Sequence, residues 1–285
     1  MKKLVKSLLF TGGVLCAVKG LDNRLEVSYY TIPSPKLPKG FDGFRIVQLS
    51  DYHCETLPGL VDEVKNLHPA LIVCTGDMVN DEGSYLPAID LTRRLKRLAP
   101  VYMITGNHDL WRNDYYDLEK ALTEAGAVFL HNQRVLIHQG DDQIALTGID
   151  DPLTRSSGEI ERHLSESLEK VASWEGFDIL LFHRANLMDR LKDCGFDLIL
   201  SGHMHGGQLR LPGLGGFVSP KSGFGANTPV FFPKYFGGIY EHKSTRMIVS
   251  RGLGNPMVIP RLFNRPEIVM IELASSAPAK AHGKE

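Results

Sequence analysis

The sequence repeats one pattern, in which a short apolar run ends abruptly in polar residues and a stretch with helical periodicity follows. Apolar residues recur at three- and four-residue intervals over 60–67, 86–98 and 115–125, as in helices that cover a sheet. This alternation is typical of βαβ units and therefore predicts an α/β fold. The apolar runs, which are rich in Val, Ile and Leu, are the predicted strands, and they cover residues 45–49, 71–75, 101–104, 144–147, 178–182 and 198–200.

Length and charge narrow the classes of protein to which the chain can belong. Its 285 residues, 23% of them charged and 43% hydrophobic, suit one large globular domain. The formal net charge is -1, so there is no basic field to attract nucleic acid, and we expect no nucleic-acid partner. The four cysteines show no spacing typical of a zinc ribbon or a redox dithiol.

The amino terminus differs from the rest of the chain. Lys2, Lys3 and Lys6 precede an uncharged run over 7–18, which is shorter than the roughly 20 residues that a spanning helix needs. We predict that residues 1–24 form a membrane anchor or signal-like segment, and that the protein associates with a membrane surface through it. The alternative is an amphipathic helix packed on the domain. The lysines favour a cytoplasmic amino terminus, and the membrane face of the domain stays open.

Residues 25–274 are predicted to form the domain, and the polar stretch 275–285 a disordered tail. Within the domain, glycines, prolines and aromatic residues over 206–238 predict a long irregular loop, which we expect to form a wall of the substrate site. The runs 246–250 and 267–273 predict two closing strands.

Nearly every predicted strand ends in a potential metal ligand. The carboxyl ends of strands in an open α/β sheet share one edge, so we expect these side chains to converge on one crevice. In the pairs Asp51/His53 and His203/His205, the one-residue gap puts both side chains on the same face of an extended segment, where they can chelate one ion. The candidate ligands are Asp51, His53, Asp77, Asn107, His183, His203 and His205.

Seven donors exceed the number that one tetrahedral ion takes, and they suit two ions that share a carboxylate. Imidazole, carboxylate and amide donors without a thiolate favour two divalent ions such as Mn, Zn or Fe. Each motif alone also has a purely structural explanation, such as a turn for Gly76-Asp77 or a hydrogen-bonded histidine for His183. All of them in order, each after an apolar run, favour a dinuclear metal site.

These motifs resemble those of the calcineurin-like metallophosphoesterase superfamily. The wider context, including Gly206-Gly207-Gln208 and Ser250-Arg251-Gly252-Leu253-Gly254, resembles the bacterial membrane-anchored phosphodiesterases of the YkuE/YaeI group, which implies a bacterial inner-membrane location. The resemblance implies a four-layer α-β-β-α sandwich of two mixed sheets flanked by helices. It also implies that Asp77 bridges two ions, one held by Asp51, His53 and His205, the other by Asn107, His183 and His203.

The resemblance implies a reaction in which a hydroxide bridging the two metal ions attacks phosphorus. His108 is then the expected proton donor to the leaving group, and Asp109 the residue that orients it. Arg184 is a candidate phosphate contact, with a surface arginine as the alternative, and Asp81 is interpreted as structural. Tyr52 and Cys54-Glu55 depart from the family's usual residues, and we expect side chains at this position to influence which substrate enters.

The sequence therefore predicts a metal-dependent hydrolase of a phosphodiester or pyrophosphate bond. The anchor and the aromatic, Gly-rich segment favour a lipid or nucleotide-lipid substrate, such as UDP-2,3-diacylglucosamine, which some relatives cleave. Two alternatives stay open at this point. One is a metal-dependent amidase or peptidase, which the Gly-Asn-His-Asp order disfavours, and the other is a non-catalytic membrane-bound binding module, which the intact ligand set disfavours.

Overall fold

The computed structural model describes residues 19–153, 156–171, 173–211, 213–221, 229–256 and 259–275. Its strands are β1 (Glu26–Pro33), β2 (Arg45–Leu49), β3 (Leu71–Thr75), β4 (Val101–Ile104), β5 (Ala127–Phe129), β6 (Gln133–Gln139), β7 (Asp142–Ile149), β8 (Asp178–Arg184), β9 (Leu198–Gly202), β10 (Arg210–Leu211), β11 (Gly215–Gly216), β12 (Val218–Lys221), β13 (Pro229–Phe231), β14 (Gly238–His242), β15 (Thr245–Val249) and β16 (Glu267–Ala274). Its α-helices are α1 (Leu60–Asn66), α2 (Leu86–Lys96), α3 (Asn107–Leu110), α4 (Tyr115–Glu124), α5 (Ser157–Val171) and α6 (Met188–Leu191). Short 3₁₀ turns cover Lys39–Phe41, Ala185–Leu187 and His205–Gly207.

Two six-stranded sheets form the framework. The first has the order β1-β16-β2-β3-β4-β5, and the second has the order β14-β15-β9-β8-β7-β6. In the first sheet β2 to β5 are parallel, whereas β16 runs antiparallel to β2. In the second, β7, β8, β9 and β15 are parallel, with an antiparallel strand at each edge. Both sheets are therefore mixed, as predicted.

Three apolar clusters show how the layers stack. In β2, Ile46 packs in the cluster between the two sheets, whereas Val47 packs against the helices, because successive side chains of a strand point to opposite faces. The helices α1, α2 and α4 cover the outer face of the first sheet. The helices α5 and α6 cover the outer face of the second. The predicted four-layer α-β-β-α sandwich is thus confirmed.

All six predicted strands are present, and the elements that were not predicted include β1, β5, β6, β14 and α5. The strands β1 and β6 stay partly exposed, because each has a neighbouring strand on one side only. The helix α5 carries its signal in Ile160, Leu164 and Val171, which are buried at helical spacing. The strand β14 pairs with β15, the first of the two predicted closing strands.

The segment 206–238, predicted to be an irregular loop, contains two short antiparallel pairs, β10 with β11 and β12 with β13. Most of the predicted anchor over 1–24 and of the predicted tail over 275–285 lies outside the described residues. Among the residues that are described, no helix combines the length and the apolar character needed to cross a bilayer.

Candidate metal centre

All seven predicted ligands lie at one edge of the two sheets, and all are buried. In chain order they follow β2 (Asp51, His53), follow β3 (Asp77), begin the helix after β4 (Asn107), lie within β8 (His183) and follow β9 (His203, His205). Glycines allow the close approach of these segments. A Cβ on Gly106 would lie 2.2 Å from Oδ1 of Asp77, and one on Gly202 would lie 2.3 Å from Oδ2 of Asp51.

Asp51, His53 and His205 form one group, which we name the first cluster. One ligand atom from each lies within 4.8 Å of the other two. Oδ1 of Asp51 is 3.4 Å from Nε2 of His205, and the rings of His53 and His205 stack with their centroids 5.2 Å apart. The backbone N–H of His203 and the hydroxyl of Ser50 donate to the carboxylate of Asp51, which fixes its orientation.

Asp77, His183 and His203 form the second cluster. Nε2 of His183 lies 3.1 Å from Oδ2 of Asp77 and 3.2 Å from Nδ1 of His203. The same Oδ2 of Asp77 is 3.9 Å from Nε2 of His53, so this carboxylate joins the two clusters. Its other oxygen accepts the backbone N–H of His108 at 2.8 Å, which leaves Oδ2 directed at both groups.

These residues fit two divalent ions. Ligand atoms placed about 2.0–2.2 Å from one ion lie roughly 3–3.5 Å from each other, and the closest ligand atoms are 3.4 Å apart in the first cluster and 3.1 and 3.2 Å apart in the second. Among the described residues, Nε2 of His53 and the buried Oδ1 of Asn107 have no hydrogen-bond partner. A buried polar atom without a partner is costly, and coordination of a metal ion would satisfy each of these atoms.

Comparison with known proteins agrees with this geometry. The family model of the calcineurin-like phosphoesterases matches residues 44–207, which is more than half of the chain. The chain belongs to the calcineurin-like phosphoesterase family. It is therefore a phosphoesterase, and the family binds two divalent metal ions.

Three curated relatives illustrate the range of the family. The metallophosphoesterase YkuE of Bacillus subtilis is 31% identical over 264 residues, 89% of this chain and 87% of the relative. The phosphodiesterase YaeI of Escherichia coli is 27% identical over 247 residues, 81% of this chain and 82% of the relative. A transmembrane protein with a metallophosphoesterase domain from Danio rerio is 30% identical over 295 residues, 95% of this chain and 63% of the relative.

The protonation states of this phosphoesterase suit metal binding. Burial lowers the pKa of His53 to about 4 and holds the pKa values of His203 and His205 well below the usual value. Neutral imidazole is the form that coordinates a metal. Burial also disfavours the charged form of His183, but the carboxylate of Asp77 beside it raises the pKa of His183 to about 10. A metal ion bound to His183 would replace that proton.

The backbone at the metal centre adopts an uncommon conformation. Left-handed φ values are rare outside glycine because the Cβ crowds the backbone, and each costs of order 1–3 kcal/mol. Such strain is typical of functional sites, where the surrounding structure maintains it. Five of the seven candidate ligands have a positive φ, namely Asp51 (50°), His53 (50°), Asp77 (53°), His203 (72°) and His205 (45°).

Three supporting residues of the phosphoesterase were not predicted. Asn80 exchanges two contacts with His53, from Oδ1 to Nδ1 and from Nδ2 to the backbone carbonyl, both at 3.0 Å. Asn264 donates from Nδ2 to the backbone carbonyl of His205 at 2.7 Å. The buried guanidinium of Arg261 lies 3.4 Å from Nδ1 of His205 and donates to the carbonyls of Arg251 and Gly254. Only Asn80, three residues after Asp77, could have been suspected from its place in the sequence.

The predicted catalytic residues occupy different positions. The imidazole of His108 lies at the rim, 5.0 Å from the ring of His53, with its Nδ1 3.6 Å from Oδ1 of Asp81. Asp81, interpreted from sequence as structural, is therefore the carboxylate nearest to His108 among the described ion pairs. Asp109 instead accepts the backbone N–H groups of Asp77, Gly106 and Val79, so it holds the turn that carries the shared ligand.

Two further expectations concern Arg184 and Tyr52. Arg184 is buried and donates two hydrogen bonds to the carboxylate of Asp151, at 2.6 and 2.7 Å. Direct contact with a phosphate would require it to leave that carboxylate. Tyr52 packs in the apolar cluster beneath the helices rather than at the rim. Its neighbour Glu55 does reach a cavity, described next.

Two cavities of the phosphoesterase lie close to residues that support the metal centre, and none of the seven ligands lines either of them. The first, of about 660 Å³, is lined by residues 23–25 at the start of the domain and by Glu55, Leu253, Asn255 and Arg261. The other, of about 640 Å³, begins at Leu110 of α3 and is lined by acidic residues and two histidines. In its wall the imidazole of His131 bridges the carboxylates of Asp150 and Glu119, at 3.0 and 3.1 Å.

Proposed function

We propose that the protein hydrolyses a phosphodiester or pyrophosphate bond in a lipid or nucleotide-lipid substrate at a membrane surface, with UDP-2,3-diacylglucosamine as one candidate. The observation that carries the proposal is the single carboxylate oxygen of Asp77, which lies between two clusters of buried carboxylate and imidazole ligands. Two bound ions, for which we propose Mn, Zn or Fe, would bind the phosphate, stabilise its charge and activate water as the nucleophile.

The ligand residues would hold the two ions in fixed positions, and the ions would position the phosphate. Because Asp77 and Asp51 are held by backbone N–H groups, the clusters keep their geometry without rearrangement during the reaction. His203, His205 and His53 are neutral, so they bind the ions without adding charge to the site. Asp109 acts indirectly in this scheme, because it fixes the backbone of the Asp77 turn.

His108 is proposed as the general acid. Its side chain lies at the rim beside the first cluster, where the leaving oxygen would emerge. Oδ1 of Asp81 lies 3.6 Å from Nδ1 of His108, so Nε2 is the ring nitrogen that remains for contact with the leaving oxygen. General acid catalysis matters most for a poor leaving group, because a good one departs without a proton.

The diester specificity draws on the Escherichia coli relative, which is named a phosphodiesterase. The membrane location draws on the lysine-flanked apolar run over 7–18 and on the Danio rerio relative, which is named a transmembrane protein. The lipid part of the substrate is supported by the cavity that Arg261, which lies beside His205, shares with residues 23–25 at the end of the proposed anchor segment.

The test compares the intact chain with His108→Ala on two diesters, one with a p-nitrophenol leaving group and one with an alkyl alcohol. After metal stripping and reloading with Mn, Zn or Fe, we expect the substitution to lower kcat roughly 100- to 10,000-fold for the alkyl diester. The loss should be much smaller for bis(p-nitrophenyl) phosphate. Unchanged metal content in the variant is the control.

Two outcomes would contradict the proposal. Equal losses on both diesters would remove His108 as the acid. No hydrolysis of any phosphate ester by the metal-loaded chain, together with cleavage of amides or with binding alone, would replace phosphoester hydrolysis with one of the two alternative functions.

A further inference from the structure

Six of the exposed apolar side chains belong to segments that are hydrogen-bonded to one another close to the ligand His205. We name this set the apolar rim, and it consists of Leu21, Leu211, Leu214, Phe231, Phe232 and Ile259. Leu214, Phe231 and Phe232 expose 72%, 59% and 62% of their surface. Single exposed apolar residues are ordinary on a soluble protein, but a contiguous group marks an interaction surface.

Hydrogen bonds and ring contacts join the segments that carry the apolar rim. The backbone N–H of Phe232 donates to the carbonyl of Phe217, whose own N–H donates to the carbonyl of Leu209. Leu209 in turn pairs with Leu262, and the carbonyl of Ile259 accepts the side-chain amide of Gln208. The rings of Phe231 and Phe232 both pack edge-on against Phe217. The segments of the apolar rim are therefore bound to residues 208–210, which begin three positions after the ligand His205.

The described chain begins at the same place. The N–H of Phe263 donates to the carbonyl of Gly20, and a Cβ on Gly20 would lie only 2.7 Å from Cδ1 of Leu262. This close approach fixes where the preceding residues join the domain. The part of the chain that carries the apolar run over 7–18 is therefore connected to the domain beside Leu262 and Phe263, next to the segments of the apolar rim.

We propose that the apolar rim docks on a phospholipid bilayer, so that the metal centre faces lipid headgroups. The proposal rests on the proposed function for its membrane-bound substrate. Phenylalanine and leucine side chains favour the boundary between headgroups and acyl chains, and an anchor of marginal length is strengthened by a second contact. The segment 261–264 contacts Gly20 and also His205, through Phe263, Asn264 and Arg261, so docking places the ligands near the membrane surface.

A second copy of the chain is the competing occupant of the rim. The position of Gly20 favours the bilayer, because a chain anchored there would hold the rim against the membrane rather than leave it free for another molecule. The two occupants differ in what surrounds Leu214, and this difference can be measured.

The test uses the intact chain bound to vesicles that contain brominated phosphatidylcholine and phosphatidylglycerol. Leu214→Trp adds an indole at the rim, and the matched control Leu136→Trp adds one at a partly exposed leucine on the edge strand β6. We expect bromine to quench at least about half of the emission that Leu214→Trp adds over the unsubstituted chain. The emission added by Leu136→Trp should stay unquenched.

Equal quenching of both probes, or none, would overturn the docking proposal. A blue shift of the Leu214→Trp emission without vesicles, growing with protein concentration, would overturn it in favour of self-association. Hydrolysis of bis(p-nitrophenyl) phosphate is measured on the same samples. Activity without selective quenching rejects docking alone, whereas selective quenching without activity rejects the proposed function alone.

Discussion

The two halves of the metal centre are held in different ways. The second cluster rests on the sheets, since His183 belongs to β8 and its Nδ1 lies 2.8 Å from the backbone carbonyl of Thr75 in β3. The first cluster rests on side chains from other segments, with Asn80 beside His53 and Asn264 beside His205. Ligands of the first kind form together with the sheets, whereas ligands of the second kind depend on contacts that can be removed separately.

Asp77 belongs to both halves, so its substitution should abolish the difference between them. Asp77→Asn keeps the shape but removes the charge that the two ions share. We expect kcat/KM for bis(p-nitrophenyl) phosphate to fall roughly 1000-fold or more, with loss of metal from both clusters measured by elemental analysis. Asp90→Asn, an exposed change on α2, is the control. Two retained ions and near-normal activity would contradict the shared role.

A substitution beside the second cluster should lower the stability of the whole fold, because this cluster is built on the sheets. Asp151→Ala leaves the buried guanidinium of Arg184, next to His183, without its carboxylate. We expect a loss of about 3–5 kcal/mol in the free energy of unfolding, measured by urea denaturation, because an unpaired buried charge is strongly destabilising. The double variant Arg184→Met, Asp151→Leu should recover most of this loss. Wild-type stability of Asp151→Ala would argue that the pair is hydrated.

The loop-based half should lose metal while the fold survives. Asn264→Ala removes the amide that holds the carbonyl of His205 and of Gln208. We expect metal affinity at the first cluster to fall about 10- to 100-fold, as for other supporting residues, with an unchanged far-ultraviolet circular dichroism spectrum. Competition with a chromophoric chelator measures the affinity, and Asn66→Ala on α1 is the control. An equal loss of metal affinity at both clusters would contradict the separate support of the first cluster.

The smallest effect concerns the acidic cavity beside Leu110, outside both clusters. In the wall of this cavity, the hydrogen bond from His131 to the carboxylate of Asp150, together with the nearby Glu119, raises the pKa of His131 to about 9. A folded pKa above the unfolded value gives stability that is complete below about pH 6.5 and is lost as the pH rises through about 9. With 38% of its side chain exposed, His131 should contribute about 1 kcal/mol or less. Comparing wild type with His131→Asn by thermal unfolding at pH 6 and pH 10 measures it, and a pH-independent difference would refute it.

The same contrast explains what could be predicted from sequence. Asp77 and His183 follow or belong to apolar runs, and the rule that parallel strands end at one edge is enough to bring them together. The layered fold follows from the same runs, because their alternate faces must be covered by helices on one side and by the other sheet on the other.

Asn264 and Asp81 carry no such signal. Asn264 lies 59 positions from its partner His205 in the sequence, and nothing in the residues around it distinguishes it from a turn asparagine. Asp81 lies four residues beyond Asp77 and is expected from the sequence to be structural, yet the turn brings its Oδ1 to 3.6 Å from Nδ1 of His108. Asp109 shows the converse, since its neighbour His108 suggested an orienting role, whereas its carboxylate meets backbone N–H groups.

The left-handed backbone at five ligands sets chemistry against thermostability. Glycine at His53, His203 or His205, whose imidazoles are neutral, would relieve the local strain without leaving a buried charge unpaired, so a library screened only for resistance to heat in the presence of a chelator should enrich glycine at these three positions. The selected variants would be more thermostable than the parent chain but would have no catalytic activity. Engineering of this fold for thermostability should therefore exclude the codons of all five ligands from randomisation, or select for turnover in every round.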